Sequence, residues 1–177
     1  METPEFAKHL LDFIRANQVW AAPIVFVLSF AESLAFVALL VPATVILWGV
    51  GGMIGAAGLD FWPIWLGAAL GAALGDWLSY WLGFHYHEQI SRMWPLSKYP
   101  ELMPRAKAFF TKWGAPGVFV GRFFGPLRAA VPLVAGAAEM PRLPFQVANW
   151  TSAFVWATTT LAPGAIGLDV LKRYFGW

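Results

Sequence analysis

A chain of 177 residues that is 59% hydrophobic and only 12% charged falls outside the soluble globular range, where roughly a quarter of residues carry charge. A formal charge of +2 without any Lys/Arg block excludes a nucleic-acid binder, and the absence of cysteine excludes disulfide and thiolate chemistry. Composition therefore points to an all-α integral membrane protein of one domain, residues 1–177, whose eleven Trp suit the membrane interface or helix packing.

In chain order, the opening Met1–Gln18 carries acids among its apolar residues and lacks the basic start and compact apolar core of a signal peptide, so it is expected to remain on the mature chain. Thr3-Pro4-Glu5 reads as a helix start, and Phe6, Leu10, Phe13 and Ile14 then share one face, the pattern of a short amphipathic helix lying in the interface. From Ala16 to Leu59 the only charge is Glu32. Pro42 and the glycines at 49, 51, 52 and 55 argue against regular helices there and predict a hairpin over Glu32–Gly52. A lone Glu in such a run faces protein or water; it is either functional or a protonated carboxyl held in a helix interface.

Phe61–Phe84 is the clearest crossing helix. Gly67, Ala68, Gly71, Ala72 and Gly75 recur at spacings of three and four, which admits a second helix from the same protomer or from a second copy, so a homo-oligomer stays open. Asp76 and Tyr80 lie one turn apart on this helix. Residues 85–112 form a polar connection. His85 and His87 do not have a zinc-ligand spacing, and no metal or cofactor is expected. Leu102, Ala106, Phe109, Phe110 and Trp113 form an apolar stripe ending at Gly114, a second interfacial helix. Together with Arg142, the connection is richer in Lys/Arg than the two termini, the bias of a cytoplasmic loop.

Gly121–Gly136, GRFFGPLRAAVPLVAG, places Arg122 and Arg128 among apolar residues, with Pro126 and Pro132 interrupting the helical ladder. An arginine at mid-bilayer costs roughly 2.5–3.5 kcal/mol even on the mildest scale, so these two require a partner or a polar cavity. The segment is predicted to be a re-entrant hairpin lining a polar site; the plainer alternative is a pair snorkelling at the surface. Leu143–Leu168 then runs without charge and is long enough to cross, with Asn149, Thr151, Ser152 and Thr158–Thr160 expected to face inward.

Both halves, about 1–84 and 85–177, read as amphipathic helix, broken stretch with a buried charge, then regular helix. Glu32 and Pro42 have the same separation as Arg122 and Pro132. Corresponding broken elements in two halves point to a transporter-type site. The fold expected is an inverted repeat of amphipathic helix, re-entrant hairpin and transmembrane helix, with the hairpins facing each other and Glu32 and Asp76 neutralising Arg122 and Arg128.

FAESLAFVALLVPATVILWGVGGMIG, GAALGDWLSYWLG, FVGRFFGPLRAAVPLVAG and the following PFQVANW strongly resemble the bacterial DedA family of the VTT, or SNARE-associated, superfamily over about residues 18–168. The most specific part is Arg122 and Arg128 flanking Gly125-Pro126, followed by Pro132 and Gly136; Gly75-Asp76, Tyr80 and Gly83 come next. The resemblance implies two facing hairpins and translocation or scrambling of membrane lipids, including recycling of undecaprenyl phosphate and proton-dependent homeostasis. Many members carry an acid twelve residues beyond the position of Glu32, where this chain has Thr44.

Residue chemistry and resemblance together predict a flippase-like carrier of phospholipid or polyprenyl-phosphate head groups in the bacterial cytoplasmic membrane, with Glu32, Thr44, Asp76, Tyr80, Arg122 and Arg128 at the site. Guanidinium forks bind phosphate through two hydrogen bonds, and a desolvated carboxyl can carry a coupling proton. The rivals are a small-solute or ion transporter and a non-transporting assembly factor. No enzyme is expected, because His9, His85 and His87 lie outside the core segments.

Overall fold

The computed structural model describes residues 16–34, 43–92, 98–99, 101–124 and 127–175. Within them, a 3-10 turn at Gln18–Trp20 leads into α1 (Ala21–Ser33), followed by α2 (Ala43–Ala57), α3 (Phe61–His85), the short α4 (His87–Arg92), α5 (Leu102–Gly121), α6 (Leu127–Ala137) and α7 (Arg142–Phe175). The amphipathic helix expected after Thr3-Pro4-Glu5, and Pro42, Gly125 and Pro126, lie outside the described residues.

Two expectations about helix breaking are corrected. α2 runs as a helix through Gly49, Gly51, Gly52 and Gly55. Gly51 is there for proximity, since a Cβ on it would lie 2.9 Å from Leu161 O of α7. Pro132 sits inside α6 and does not break it; little more than one turn follows, so the bond its missing N–H would have made to Arg128 O is a local loss. Gly114 does break its helix, with φ 49° and ψ −131°, but the chain re-enters helical geometry at once, with Pro116 in the new first turn. α3 begins where Asp60 accepts a hydrogen bond from Trp62 N–H at 3.2 Å.

At 1.5 Å per residue α1 and α2 are about 20 Å long, short of the roughly 30 Å hydrocarbon core. Among the described residues no helix is long and apolar enough to cross a membrane. For α3, expected as a crossing helix, the shortfall is in apolarity rather than length, since 25 residues extend about 38 Å. Its polar side chains are turned inward: Asp76, Ser79 and Tyr80 are buried, while Trp62, Leu66, Trp77, Leu78 and Trp81 are exposed.

α1 packs on α3 and α5 on α7, while α2 packs on α7 and α6 on α3. The first contact uses the small-residue stripe: a Cβ would lie 2.7 Å from Ala22 O on Gly67 and 2.6 Å from Phe30 O on Gly75, and one on Gly71 would collide with Phe26 O. That face is therefore filled from within the protomer. α3 and α7 run antiparallel. Trp65 Nε1 donates to Thr158 Oγ1 at 2.9 Å, Asn149 Nδ2 to Ala73 O at 2.9 Å, and Tyr80 stacks on Phe145 with centroids 4.0 Å apart.

α2 and α6 end alike. Gly58 (φ 68°) lets Leu59 N–H reach Ile54 O, and Glu139 (φ 59°) lets Met140 N–H reach Ala135 O. A Glu in this left-handed position is strained, and it is held by Lys107 Nζ at 2.5 Å, whose ammonium keeps the Glu139 carboxyl below its usual pKa. Pro63 and Gly83 follow Gly58 at the same distances at which Pro144 and Gly164 follow Glu139. Gly83 meets Leu133 of α6, and Gly164 meets Gly51 and Gly52 of α2.

Candidate functional site

Two apolar clusters hold these helices, one around Leu47, Ala69, Ala153 and Leu161, the other around Tyr80, Ala135, Met140 and Phe145. Between them along α3 and α7 lies a polar layer. Glu32 and Ser33 come from the end of α1, Asp76 and Ser79 from α3, Arg122 from the turn after α5, and Asn149 and Ser152 from α7; all are buried. Arg128, on the first turn of α6, joins them at 13% side-chain exposure. Charges buried this deeply need partners, because the desolvation cost of an ion left alone is several kcal/mol.

The partners divide the layer into two unequal pairs. Arg122 is ion-paired to Asp76 through its NH2 nitrogen, which also donates to Asn149 Oδ1 at 2.6 Å, while its Nε donates to Ser152 Oγ at 2.9 Å. Asn149 and Ser152 are themselves anchored, the amide to Ala73 O and the hydroxyl to Asn149 O at 3.1 Å. This is a closed network. Arg128 has a looser setting: one NH2 nitrogen lies 3.1 Å from Glu32 Oε2, and the guanidinium stands 4.6 Å over the Trp156 ring. Stacking engages the face of the fork, so hydrogen bonds to it are made in its plane. The pairs are neighbours, since Ser79, one turn on from Asp76, donates to the backbone oxygen of Ser33, next to Glu32, at 3.1 Å.

The structure thus brings together Glu32, Asp76, Arg122 and Arg128, with Asp76 supporting an arginine as its place on α3 suggested. Tyr80 has other company: its hydroxyl donates to Met140 O at 2.5 Å, and its ring belongs to the second apolar cluster. Thr44 lies in the first turn of α2, with its side chain outside the described parts. Gly136 closes α6 against α3, where a Cβ would collide with Tyr80 O. The inward polar face expected of α7 is only half inward. Asn149, Ser152 and Thr160 are buried, but Thr151, Thr158 and Thr159 are exposed and return their hydroxyls to their own helix, at Val147 O, Phe154 O and Trp156 O. Trp156 was the residue without a signal, since nothing in the sequence sets it apart from the other tryptophans.

The sequence has known relatives. A VTT-domain family model matches residues 41–166. The chain is 34% identical over 157 residues to the inner membrane protein YabI of Escherichia coli, covering 89% of this chain and 62% of YabI. The chain belongs to the DedA family of VTT-domain proteins. A membrane protein of Buchnera aphidicola from Acyrthosiphon pisum is 32% identical over 175 residues, covering 95% of this chain and 68% of that protein. One from Mycobacterium leprae is 40% identical over 97 residues, 55% of this chain and 45% of that protein. No solved structure matches the chain significantly. This DedA chain therefore spans a little over three fifths of the length of YabI, and its relatives are named as membrane proteins. The VTT match takes in Asp76, Arg122 and Arg128, whereas Glu32 precedes it.

Proposed function

We propose that this protein moves lipids with phosphate-bearing head groups across the bacterial cytoplasmic membrane, as a translocase or scramblase. The observation that carries the reading is the Arg128–Glu32 pair, buried beside Trp156 where α1 ends and α6 begins. A phosphate can take the place of the Glu32 carboxylate on the guanidinium fork while the lipid's chains stay in the bilayer. Glu32 holds Arg128 when the site is empty and gives it up to the phosphate when lipid enters. Polyprenyl phosphate such as undecaprenyl phosphate is the substrate class the family resemblance favours. Arg122 keeps the layer assembled and does not grip substrate.

The proposed topology is an inverted repeat in one membrane domain. α1 with α2, and the post-Gly114 part of α5 with α6, are re-entrant hairpins; α3 and α7 are the crossing helices, their polar residues shielded from lipid. Support comes from the exchange of packing, in which each hairpin's second helix lies on the other half's long helix, and from the matching Gly58 and Glu139 turns.

One observation favours an assembly or homeostasis factor instead, the engagement of Arg122 by Asp76, Asn149 and Ser152, all groups of the protein itself. Reconstitution separates the two readings. Liposomes holding only the purified protein and a fluorescent lipid phosphate should move label between leaflets in proportion to protein content; an assembly factor moves none.

A further inference from the structure

A second recess lies apart from the charged layer and shares no residue with its two ion pairs. It is a cavity of about 560 Å³ between the last three turns of α3 and the start of α7, walled by Trp77, Trp81, Phe84 and Trp150 and carrying Arg142 and Gln146. Trp77 and Trp81 are half exposed, so the recess opens outward, and Leu78 and Val147, next in sequence to its lining residues Trp77 and Gln146, are exposed too. Arg142 stands 5.0 Å over the Phe84 ring, and among the described residues no carboxylate pairs with it. Gln146 Oε1 is buried without a hydrogen-bond partner. His85 also lines the recess, and its Nδ1 donates to Trp81 O at 3.0 Å.

These features ask for one ligand chemistry: an anion for Arg142, a hydrogen-bond donor close behind it for Gln146, and an apolar remainder lying outside. We propose that this recess is a binding site for an anionic glycerophospholipid whose head group carries hydroxyls, distinct from the arginine–carboxylate layer. The phosphate pairs with Arg142, a head-group hydroxyl donates to Gln146 Oε1, and the tryptophans flank the glycerol region, the usual place of Trp at a membrane interface. The volume suits a head group of ordinary ligand size, and the acyl chains run past Leu78 and Val147. The inference needs only a membrane protein, not a transporter.

The test places the full chain in phosphatidylcholine vesicles doped with phosphatidylglycerol brominated near the top of its acyl chains, or with phosphatidylcholine brominated alike, and follows quenching of Trp emission. Brominated phosphatidylglycerol should quench at lower mole fraction than brominated phosphatidylcholine. Arg142→Gln should raise its half-quenching fraction roughly tenfold, the worth of one charge-assisted hydrogen bond. Gln146→Leu leaves the charge intact and should reduce the preference on its own, which keeps the test decisive if Arg142→Gln folds poorly. Equal quenching by the two lipids in the parent protein, an unaltered preference in Gln146→Leu, or displacement of the lipid by inorganic phosphate would each overturn the assignment.

Discussion

Gly83 and Gly136 face each other so closely that a Cβ on Gly83 would collide with Leu133 O, and one on Gly136 with Tyr80 O. The α3–α6 contact is therefore made backbone to backbone, the approach that small residues allow where helices pack in a membrane. Gly83→Ala or Gly136→Ala forces the helices apart and should cost roughly 2–3 kcal/mol, at the upper end of overpacking effects. Gly49 on α2 has nothing within 4 Å of where a Cβ would stand, so Gly49→Ala should be neutral or stabilise by up to about 1 kcal/mol through helix propensity. Thermal unfolding in detergent micelles distinguishes them; equal midpoints for Gly49→Ala and Gly136→Ala would contradict the close packing.

Asp76 balances Arg122 inside the closed network. Asp76→Asn leaves a buried guanidinium without a counter-charge and should destabilise the protein by roughly 3–5 kcal/mol, the cost of breaking a buried pair on one side. Adding Arg122→Gln removes the stranded charge, and the double variant should recover much of the loss. A double variant less stable than Asp76→Asn would mean that the pair is not what Asp76 contributes.

Tyr80→Phe tests whether that tyrosine is structural. Met140 O would lose its donor in a buried place, at a cost of roughly 1–2 kcal/mol. Lipid movement per folded protein should stay within about twofold of the parent, because the lost contact lies in the apolar cluster. A transport defect with stability unchanged would return Tyr80 to the substrate path.

The small-residue stripe of α3 was legible because spacings of three and four need no knowledge of the partner, and α1 fills it. Four charges in apolar runs were legible as a group for the same reason, since physics demands partners for each. Which acid would hold which base was not, because Asp76 and Arg122 meet only when α3, α5 and α7 converge. Nor was the inequality of the two arginines, which depends on Asn149 and Ser152 bonding one of them. Gly51 misled in the other direction: helix propensity penalises glycine, but contact with Leu161 favours it more. Thr158 and Thr159 read as inward polar residues, yet both are exposed, because each hydroxyl returns a bond to its own helix backbone, and Thr158 accepts one from Trp65 as well.

Since the chain has no cysteine, single cysteines report topology without background. Cysteines at Val19 and Gly58, before α1 and after α2, should label from the same side of the membrane if that pair is re-entrant. Thr111 and Glu139 bracket the second hairpin and should label together from the opposite side. Labelling of Val19 and Gly58 from opposite sides would rule out the first hairpin and the inverted repeat with it.

The central claim is that Arg128 grips a lipid phosphate through its fork, with Arg122 as structural support. Lysine keeps the charge but cannot make two parallel hydrogen bonds or stack on Trp156 as a planar cation. The direct measurement is the rate of leaflet exchange of a fluorescent lipid phosphate in liposomes holding equal amounts of folded parent, Arg128→Lys or Arg128→Gln protein. The account predicts a fall of roughly tenfold or more in Arg128→Lys and a further fall in Arg128→Gln, with thermal midpoints close to the parent for Arg128→Lys. Exchange at the parent rate in Arg128→Lys would contradict the phosphate grip and leave the arginine as a packing charge.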